Sequence, residues 1–229
     1  MKRYKGFLFD ADNTLFDYDR AETEALTATL GEALPGVPRE KALASYHQIN
    51  DGFWRRFEQG AVTLEELKTG RFQALLESLG RDGDAAAVSS RYLAELSQRA
   101  YFLPHAREVI EHLSRTFPLA LVTNGISVVQ RGRMARSGIQ DRFRALLISE
   151  ELGFAKPDPR FFQAAVEAIA VPPGELLCVG DNPASDIDGA RSAGIDACWY
   201  APRRQPWPGP RQPPSMVISD LREILDLAS

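Results

Sequence analysis

FLFDADNTLF, running from Phe7 to Phe16, carries the clearest structural signal in the chain. An apolar run ends abruptly at Asp10, and a second acid, Asp12, follows two residues later. Short continuous apolar runs of this kind are typical of parallel strands that are covered on both faces. Two carboxylates at the end of such a strand repel each other unless a cation, hydrogen bonds or a shared proton compensates them. The stretch therefore predicts a buried strand that ends in a chemical site.

Similar apolar runs recur along the chain, and helical patterns separate them. Further strands are predicted at the following positions: Pro118–Thr123, Ala145–Ser149, Glu175–Gly180, Ile195–Tyr200 and an edge strand at Met216–Ser219, after a first strand at Tyr4–Phe9. Asp158 as N-cap and Pro159 at the first helical position predict the start of one helix, and Gly194 predicts the end of another. This alternation predicts an α/β fold with a doubly wound, mostly parallel, Rossmann-like sheet.

Residues 17–101 break the alternation, because they contain no convincing strand. Their apolar spacing predicts four helices, and Thr63 with Glu66 forms a candidate capping box at the start of the third. We therefore expect a four-helix cap at 17–101, inserted into an α/β catalytic core made of 1–16 and 102–229. An aromatic cluster is expected in the core of the cap, with a ligand-contacting surface as the alternative: Phe53, Trp54 and Phe57.

The composition excludes several classes of protein. The 229 residues are 44% hydrophobic and 25% charged, as in ordinary globular domains. A net charge of −4 argues against a nucleic acid polymer as partner. A local basic cluster is expected to be a solvated helix face: Arg131, Arg133 and Arg136. A proline-rich segment, 202–214, is expected to be an extended surface loop, with partner binding as the alternative.

Cysteine usage and hydropathy indicate where the protein works. The two cysteines, Cys178 and Cys198, lie in apolar runs and are expected to be buried rather than paired in a disulfide. No run approaches the roughly 20 apolar residues of a membrane span, and the N-terminal apolar stretch is too short for a signal peptide. We therefore expect a cytoplasmic protein with no membrane partner.

Four groups of polar residues follow predicted strands, where open α/β sheets bind ligands. They are Asp10 with Asp12, Thr123 with Asn124 and Gly125, Lys156, and Gly180 with Asp181 and Asp186. Each has a structural alternative: Thr123–Gly125 as a turn, Lys156 as a solvated side chain, and Asp186 as an N-cap. Their joint occurrence at successive strand ends favours the functional interpretation.

The four groups resemble the motifs of the haloacid dehalogenase superfamily. The matching segments are DADNT, TNG, KPDP and GDNPASD, and the helical insertion resembles the superfamily's first-position cap. More narrowly, FDADNTLFDYDRAE resembles the pyrimidine 5′-nucleotidase branch. The resemblance implies a small-molecule phosphomonoester as the substrate.

The two acids of the first group suit different tasks in phosphoryl transfer. A carboxylate nucleophile at Asp10 would form an aspartyl-phosphate and split one hard step into two. Asp12 points to the same side of an extended segment and can act as the general acid and base. The resemblance implies that halide-displacing relatives lack an acid at this position, so Asp12 favours phosphate chemistry.

The remaining residues are expected to manage charge. The carboxylates Asp10, Asp181 and Asp186 crowd the place where a phosphate must enter, which calls for a hard cation, and oxygen ligands point to Mg²⁺. The resemblance implies that Asp10 and Asp181 bind it through side chains, Asp12 through its main-chain carbonyl and Asp186 through water. The phosphoryl oxygens are expected to be held by a separate set: Thr123, Asn124 and Lys156.

The sequence thus predicts a Mg²⁺-dependent phosphomonoester hydrolase, with pyrimidine nucleoside 5′-monophosphates as the preferred substrates. A sugar-phosphate or acylsugar-phosphate phosphatase and a phosphomutase, which is an isomerase, stay open as alternatives. A non-enzymatic, Asp-phosphorylated receiver domain is disfavoured by the length of the chain and by the helical insertion.

Overall fold

The chain, in a computed structural model that describes residues 4–208, 213–214 and 216–227, forms two compact units. One unit consists of Met1–Tyr18 and Ala100–Ser229, and the other of Asp19–Arg99. These bounds lie close to the predicted limits of core and insertion. The role of the second unit as a cap stays a prediction.

The first unit contains a six-stranded parallel sheet. Its strands are β1 (Gly6–Phe9), β2 (Leu119–Thr123), β3 (Ala145–Ile148), β4 (Leu176–Gly180), β5 (Asp196–Tyr200) and β6 (Met216–Ile218). The strand order is β3-β2-β1-β4-β5-β6, and every neighbouring pair is parallel. The predicted doubly wound α/β fold is confirmed, and each of the six predicted apolar runs contains one of these strands.

Ten α-helices are found among the described residues. In chain order they are α1 (Tyr18–Ala33), α2 (Arg39–Glu58), α3 (Leu64–Ser78), α4 (Ala85–Ser97), α5 (Ala106–Leu113), α6 (Ser127–Ser137), α7 (Ser149–Leu152), α8 (Pro159–Ile169), α9 (Gly189–Ser192) and α10 (Glu223–Leu227). A π-helical turn at Pro183–Asp188 precedes α9. Asp158 caps α8 by accepting from the Arg160 N–H, with Pro159 at the first helical position, as predicted.

Alternate side chains of each strand enter two hydrophobic clusters on the two faces of the sheet. Phe7 and Phe9 belong to the cluster that includes residues of α5, α6 and α10, and Leu8 belongs to the cluster that includes residues of α8 and α9. The cysteines are both buried and free, as expected. Cys178 and Cys198 lie in different clusters, so their thiols are on opposite faces of the sheet.

The second unit is built from α1–α4 and has an aromatic centre. The predicted capping box at α3 is confirmed, because Thr63 and Glu66 each accept the other's main-chain N–H. The rings of Tyr46, Phe72 and Tyr92 lie 5.3–5.7 Å apart around the guanidinium of Arg71. The expectation that a second aromatic cluster lies in the core of the cap was wrong. Its members on α2 are only half-buried: Phe53, Trp54 and Phe57.

Two further features concern the surface. Within the described ranges, no helix has the length and apolar character needed to cross a bilayer. In the proline-rich segment, residues 202–206 are exposed, and Trp207 packs edge-on against Trp199 with ring centroids 5.0 Å apart. Residues 209–212 of that segment lie outside the described residues, so partner binding there stays a prediction.

Candidate active site

Asp10 and Asp12 lie in a tight loop at the carboxyl end of β1. The Asp10 side chain is buried, and its main-chain N–H donates to the Val179 carbonyl at 2.9 Å. The loop closes because the Phe16 N–H donates to the Ala11 carbonyl at 2.9 Å. Asn13 adopts a φ of 58°, a left-handed conformation that Asn tolerates better than most residues. The loop conformation thus fixes the main-chain positions from which the Asp10 and Asp12 side chains project.

Lys156 bridges two of the predicted acids. Its ammonium donates to Asp10 Oδ1 at 2.7 Å, to Asp186 Oδ1 at 2.7 Å and to the Val122 carbonyl at 2.8 Å, so all three of its hydrogens are used. Burial disfavours the charged ammonium, but the charges of Asp10 and Asp186 outweigh it and raise the Lys156 pKa. Lys156 is therefore a permanent positive charge, and the solvated alternative is excluded by its burial.

Thr123 and Asn124 follow β2, and they take different roles. The Asn124 amide donates to the Lys156 carbonyl and accepts from the Lys156 N–H, both at 2.8 Å. The Thr123 hydroxyl oxygen accepts from the Gly125 N–H at 3.0 Å, which leaves its hydrogen for another acceptor. The sequence predicted both as phosphate donors. In the structure the Asn124 side chain holds the Lys156 segment in place, so its amide oxygen and one of its amide hydrogens are already used.

Asp186 reaches the site from the π-helical turn after β4. Asn182, and not Asp186, caps this turn by accepting from the N–H groups of Ala184 and Ser185 at 2.9 and 3.1 Å. The buried Asp186 carboxylate instead accepts from Lys156 and from the Asn182 N–H, the latter at 3.0 Å. A Cβ on Gly180 would lie closer than 3.0 Å to this carboxylate, which explains the glycine at the end of β4. The N-cap alternative for Asp186 is therefore wrong.

Three carboxylates converge at the sheet edge. Oxygen atoms of Asp10, Asp181 and Asp186 lie within 4.8 Å of one another. Burial, opposed by Lys156 and reinforced by the Asp186 and Asp12 charges, raises the pKa of Asp10 to about 7. Burial and the charges of Asp10 and Asp186 raise the pKa of Asp181 to about 9. When all three acids are ionised beside one ammonium, negative charge is left uncompensated, and this all-oxygen set fits a hard divalent cation.

The main chain at Asp181 is held by Trp199, a contact that the sequence did not predict. The indole N–H of Trp199, on the neighbouring strand β5, donates to the Asp181 main-chain carbonyl at 2.8 Å. Trp199 thus fixes the backbone from which this carboxylate projects, and it was predicted only as part of an apolar strand.

Asp12 contacts two side chains of α6 that the sequence analysis missed or misread. Gln130 donates to Asp12 Oδ2 at 2.7 Å, and Arg133 donates to Asp12 Oδ1. The expected solvated face is confirmed for Arg131 and Arg136 but wrong for Arg133, whose side chain is fully buried. Two residues along a helix turn by about 200°, so Arg131 and Arg133 cannot share a face. The usable sequence signal was Gln130 and Arg133 at i, i+3 spacing on the same side as buried apolar residues.

The structure therefore brings all of the predicted site residues to the carboxyl edge of one parallel sheet. Their positions are these: Asp10 and Asp12 after β1, Thr123 and Asn124 at β2, Lys156 before α8, and Asp181 and Asp186 after β4. Their roles in catalysis, phosphate binding and metal binding stay predictions at this point.

Comparison with known proteins gives a consistent assignment. Residues 4–194 match the model of the haloacid dehalogenase-like hydrolase family. The pyrimidine 5′-nucleotidase PynA of Streptococcus pneumoniae is 36% identical, with 97% of this chain and 95% of that protein covered. The pyrimidine 5′-nucleotidase YjjG of Escherichia coli is 29% identical, with 98% of both chains covered.

One relative also has a closely similar solved structure. YfnB of Bacillus subtilis is 35% identical, with 98% of this chain and 95% of YfnB covered. Its magnesium-bound crystal structure superimposes with a TM-score of 0.90, at 34% identity and over 99% of both chains. The chain spans nearly the whole length of these relatives, and it belongs to the haloacid dehalogenase-like hydrolase family.

Proposed function

We propose that this hydrolase is a Mg²⁺-dependent phosphatase of nucleoside 5′-monophosphates that works through an aspartyl-phosphate on Asp10. The observation that carries the proposal is the juxtaposition of Asp10, Lys156 and the Asp181–Asp186 pair, with Asp12 two residues beyond Asp10. An acid beside the nucleophile is needed when the leaving group is an alkoxide, which a halide is not.

The cation would be held mainly by two carboxylates. Oδ1 of Asp10 accepts from Lys156 and keeps a second lone pair, so one oxygen of this carboxylate can contact the cation while the other attacks the phosphorus atom. Both oxygens of Asp186 already accept hydrogen bonds, which supports contact through water for this residue and direct contact for Asp181. The main-chain carbonyl of Asp12 is the fourth proposed ligand. A bound Mg²⁺ would supply positive charge that neutralises the carboxylates and the phosphoryl oxygens.

In the first step, an oxygen of Asp10 attacks the phosphorus atom and the bond to the leaving oxygen breaks. Asp12 gives its proton to that leaving oxygen, so the product departs as a neutral alcohol. The fixed charge of Lys156 and the Thr123 hydroxyl stabilise the phosphoryl oxygens as their charge redistributes. Asn124 supports this step by holding the Lys156 main chain.

In the second step, a water molecule attacks the phosphorus atom of the aspartyl-phosphate. Asp12, now a carboxylate, takes a proton from that water, and the bond between phosphorus and Asp10 breaks. Inorganic phosphate leaves, Asp10 is again a carboxylate, and Asp12 again carries the proton. Atoms and charges therefore balance over the cycle.

The substrate class rests on the relatives. PynA and YjjG are both pyrimidine 5′-nucleotidases, and their similarity extends over nearly the whole chain. We therefore propose UMP, CMP and dTMP as preferred substrates.

A panel of phosphomonoesters tests this function. Phosphate release is measured with UMP, dTMP, AMP, phosphoserine and hexose phosphates, each with Mg²⁺ and with EDTA. We expect release from the pyrimidine nucleotides that depends on Mg²⁺ and is absent in Asp10→Asn. Preference for a sugar phosphate would replace the nucleotide assignment, and interconversion of phosphosugar isomers without phosphate release would indicate a mutase. No Mg²⁺-dependent turnover of any compound would overturn the proposal.

A further inference from the structure

Both oxygens of the Asp12 carboxylate are held by one helix. Gln130 and Arg133 lie one turn apart on α6 and donate to Asp12 Oδ2 and Oδ1 respectively. Both donors are buried, whereas the Asp12 side chain is 27% exposed. A carboxylate bound at each oxygen by a different donor is fixed in the orientation of its plane as well as in position.

Arg133 is itself held by aromatic rings of the same unit. Its guanidinium carbon lies 5.3 Å from the centroid of the Phe16 ring and 5.8 Å from that of Tyr18. Phe16 closes the loop that carries Asp12, so the arginine is fixed relative to the loop that it serves. Thermal motion of the Asp12 carboxylate is thereby restricted from two sides.

The glycine of the TNG motif makes room for this arrangement. A Cβ on Gly125 would lie closer than 3.0 Å to the Gln130 side-chain amide, the group that donates to Asp12. A side chain at this position would therefore displace Gln130. The Gly125 that follows Thr123 and Asn124 thus has a role in placing Asp12, beyond that of a turn residue.

Stability alone is a poor explanation of the buried arginine. Among the described atoms, the Arg133 Nε and Nη1 and the Gln130 Oε1 have no hydrogen-bond partner. Burying a guanidinium and leaving polar atoms unpartnered is costly, and a buried ion pair often stabilises less than apolar side chains of the same volume. The arrangement is better explained by what it does to Asp12.

We propose that Gln130 and Arg133 are positioning residues that hold the Asp12 carboxylate in the orientation required for proton transfer. This inference rests on the proposed function, because it assigns a task to the acid and base of that reaction. Each Asp12 oxygen has a further lone pair that its α6 donor leaves for a proton. The two donors act through Asp12 and need not touch the substrate.

Leaving-group dependence separates positioning of the acid from a merely structural role. The value of kcat/KM depends on substrate binding and on cleavage of the bond to the leaving oxygen, and not on the later hydrolysis of the aspartyl-phosphate. An alkyl phosphate such as UMP needs a proton at that oxygen, whereas p-nitrophenyl phosphate releases a stable anion without one. A defect in the acid therefore lowers kcat/KM for UMP and spares kcat/KM for p-nitrophenyl phosphate.

The experiment compares Arg133→Met, Gln130→Met and the exposed control Arg136→Met, which lies on the same helix. A small misplacement of a catalytic group costs about 10²-fold in rate, so we expect a loss of about that size for UMP in Arg133→Met and under about threefold for p-nitrophenyl phosphate. Gln130→Met should also lower kcat/KM for UMP more than for p-nitrophenyl phosphate, but by a smaller factor, since it removes a neutral donor. Arg133→Lys should recover part of the UMP rate, and Arg136→Met should match the wild type on both compounds.

Equal losses on both compounds, or no loss on UMP, would overturn the inference. Circular dichroism with thermal unfolding shows whether each variant folds. If Arg133→Met does not fold, the comparison of the two substrates in Gln130→Met tests the inference instead. A wild-type enzyme that releases no phosphate from UMP or any other ester would overturn the proposed function, and the inference with it. A wild-type enzyme that works while the variants lose both activities equally would overturn the inference alone.

Discussion

Lys156→Met should destabilise the chain strongly at pH 8, because it removes the cation shared by two buried acids. The Lys156 ammonium lies 2.7 Å from an oxygen of Asp10 and 2.7 Å from an oxygen of Asp186, and all three side chains are buried. Removing one partner of a buried ion pair costs about 3–5 kcal/mol, since the remaining charge is left uncompensated. With two acids losing one partner, we expect a loss of unfolding free energy in EDTA at the upper part of that range.

The loss should be smaller at pH 5. The pKa of Asp10 is raised by burial to about 7 even with Lys156 present, and Lys156 is the group that opposes the rise. Without that ammonium the folded-state pKa lies higher still, while the unfolded chain keeps a value of about 4. A folded state that binds the extra proton loses stability as the pH rises through this window. At pH 5 Asp10 stays protonated in the folded variant, so its part of the penalty disappears.

Urea unfolding, followed by circular dichroism and tryptophan fluorescence, measures this difference at pH 5 and pH 8 in EDTA. The control is Lys5→Met, which removes a similarly short pair of 2.8 Å to Glu175 with both side chains exposed. An exposed pair of this kind contributes about 0–1 kcal/mol. A Lys156→Met penalty no larger than that of the control, or an equal penalty at both pH values, would refute the electrostatic reasoning.

Three further predictions concern the proposed cation. Mg²⁺ affinity should rise from pH 5 to pH 9, because protons compete with the cation for Asp10 and Asp181, whose pKa values are raised to about 7 and about 9. Calorimetry in two buffers should detect the release of protons on binding, and a pH-independent affinity would contradict this prediction. Gly180→Ala should weaken Mg²⁺ binding by about 10-fold or more, since the new Cβ displaces the Asp186 carboxylate, and an unchanged titration would show that Asp186 does not support the ion. Trp199→Phe should weaken Mg²⁺ binding by about fivefold while far-UV circular dichroism is retained, since it removes one hydrogen bond to the Asp181 carbonyl; wild-type affinity in this variant would limit Trp199 to packing.

The sheet and the sites at its edge could be predicted because their signals are local. A strand covered on both faces must be apolar at successive positions, and a parallel sheet brings its strand ends to one edge. The sequence alone therefore predicted that Asp10, Thr123 and Asp181 lie close together. The need for glycine at position 180 became clear only from the structure, where the Asp186 side chain occupies the space of a Cβ.

Contacts between distant parts of the chain could not be predicted in this way. Arg133 and Asp12 are 121 positions apart, and no periodicity in either segment reveals the partner of the other. Charge clustering suggested a solvated helix face, whereas the 200° turn between positions 131 and 133 already places the two arginines on different sides. The Asn124 amide was predicted to face a phosphate. Its hydrogen bonds to the Lys156 main chain could not be predicted, because they depend on the path of a loop 32 positions away.

Detection of a covalent intermediate on Asp10 tests the proposed phosphatase mechanism most directly. The enzyme is quenched with acid during turnover of UMP with Mg²⁺, digested, and analysed by mass spectrometry. We expect a phosphoryl group on the peptide that contains Asp10, and neither phosphopeptide nor turnover in Asp10→Asn. Steady release of phosphate by Asp10→Asn, or a phosphoryl group on a different residue, would contradict it.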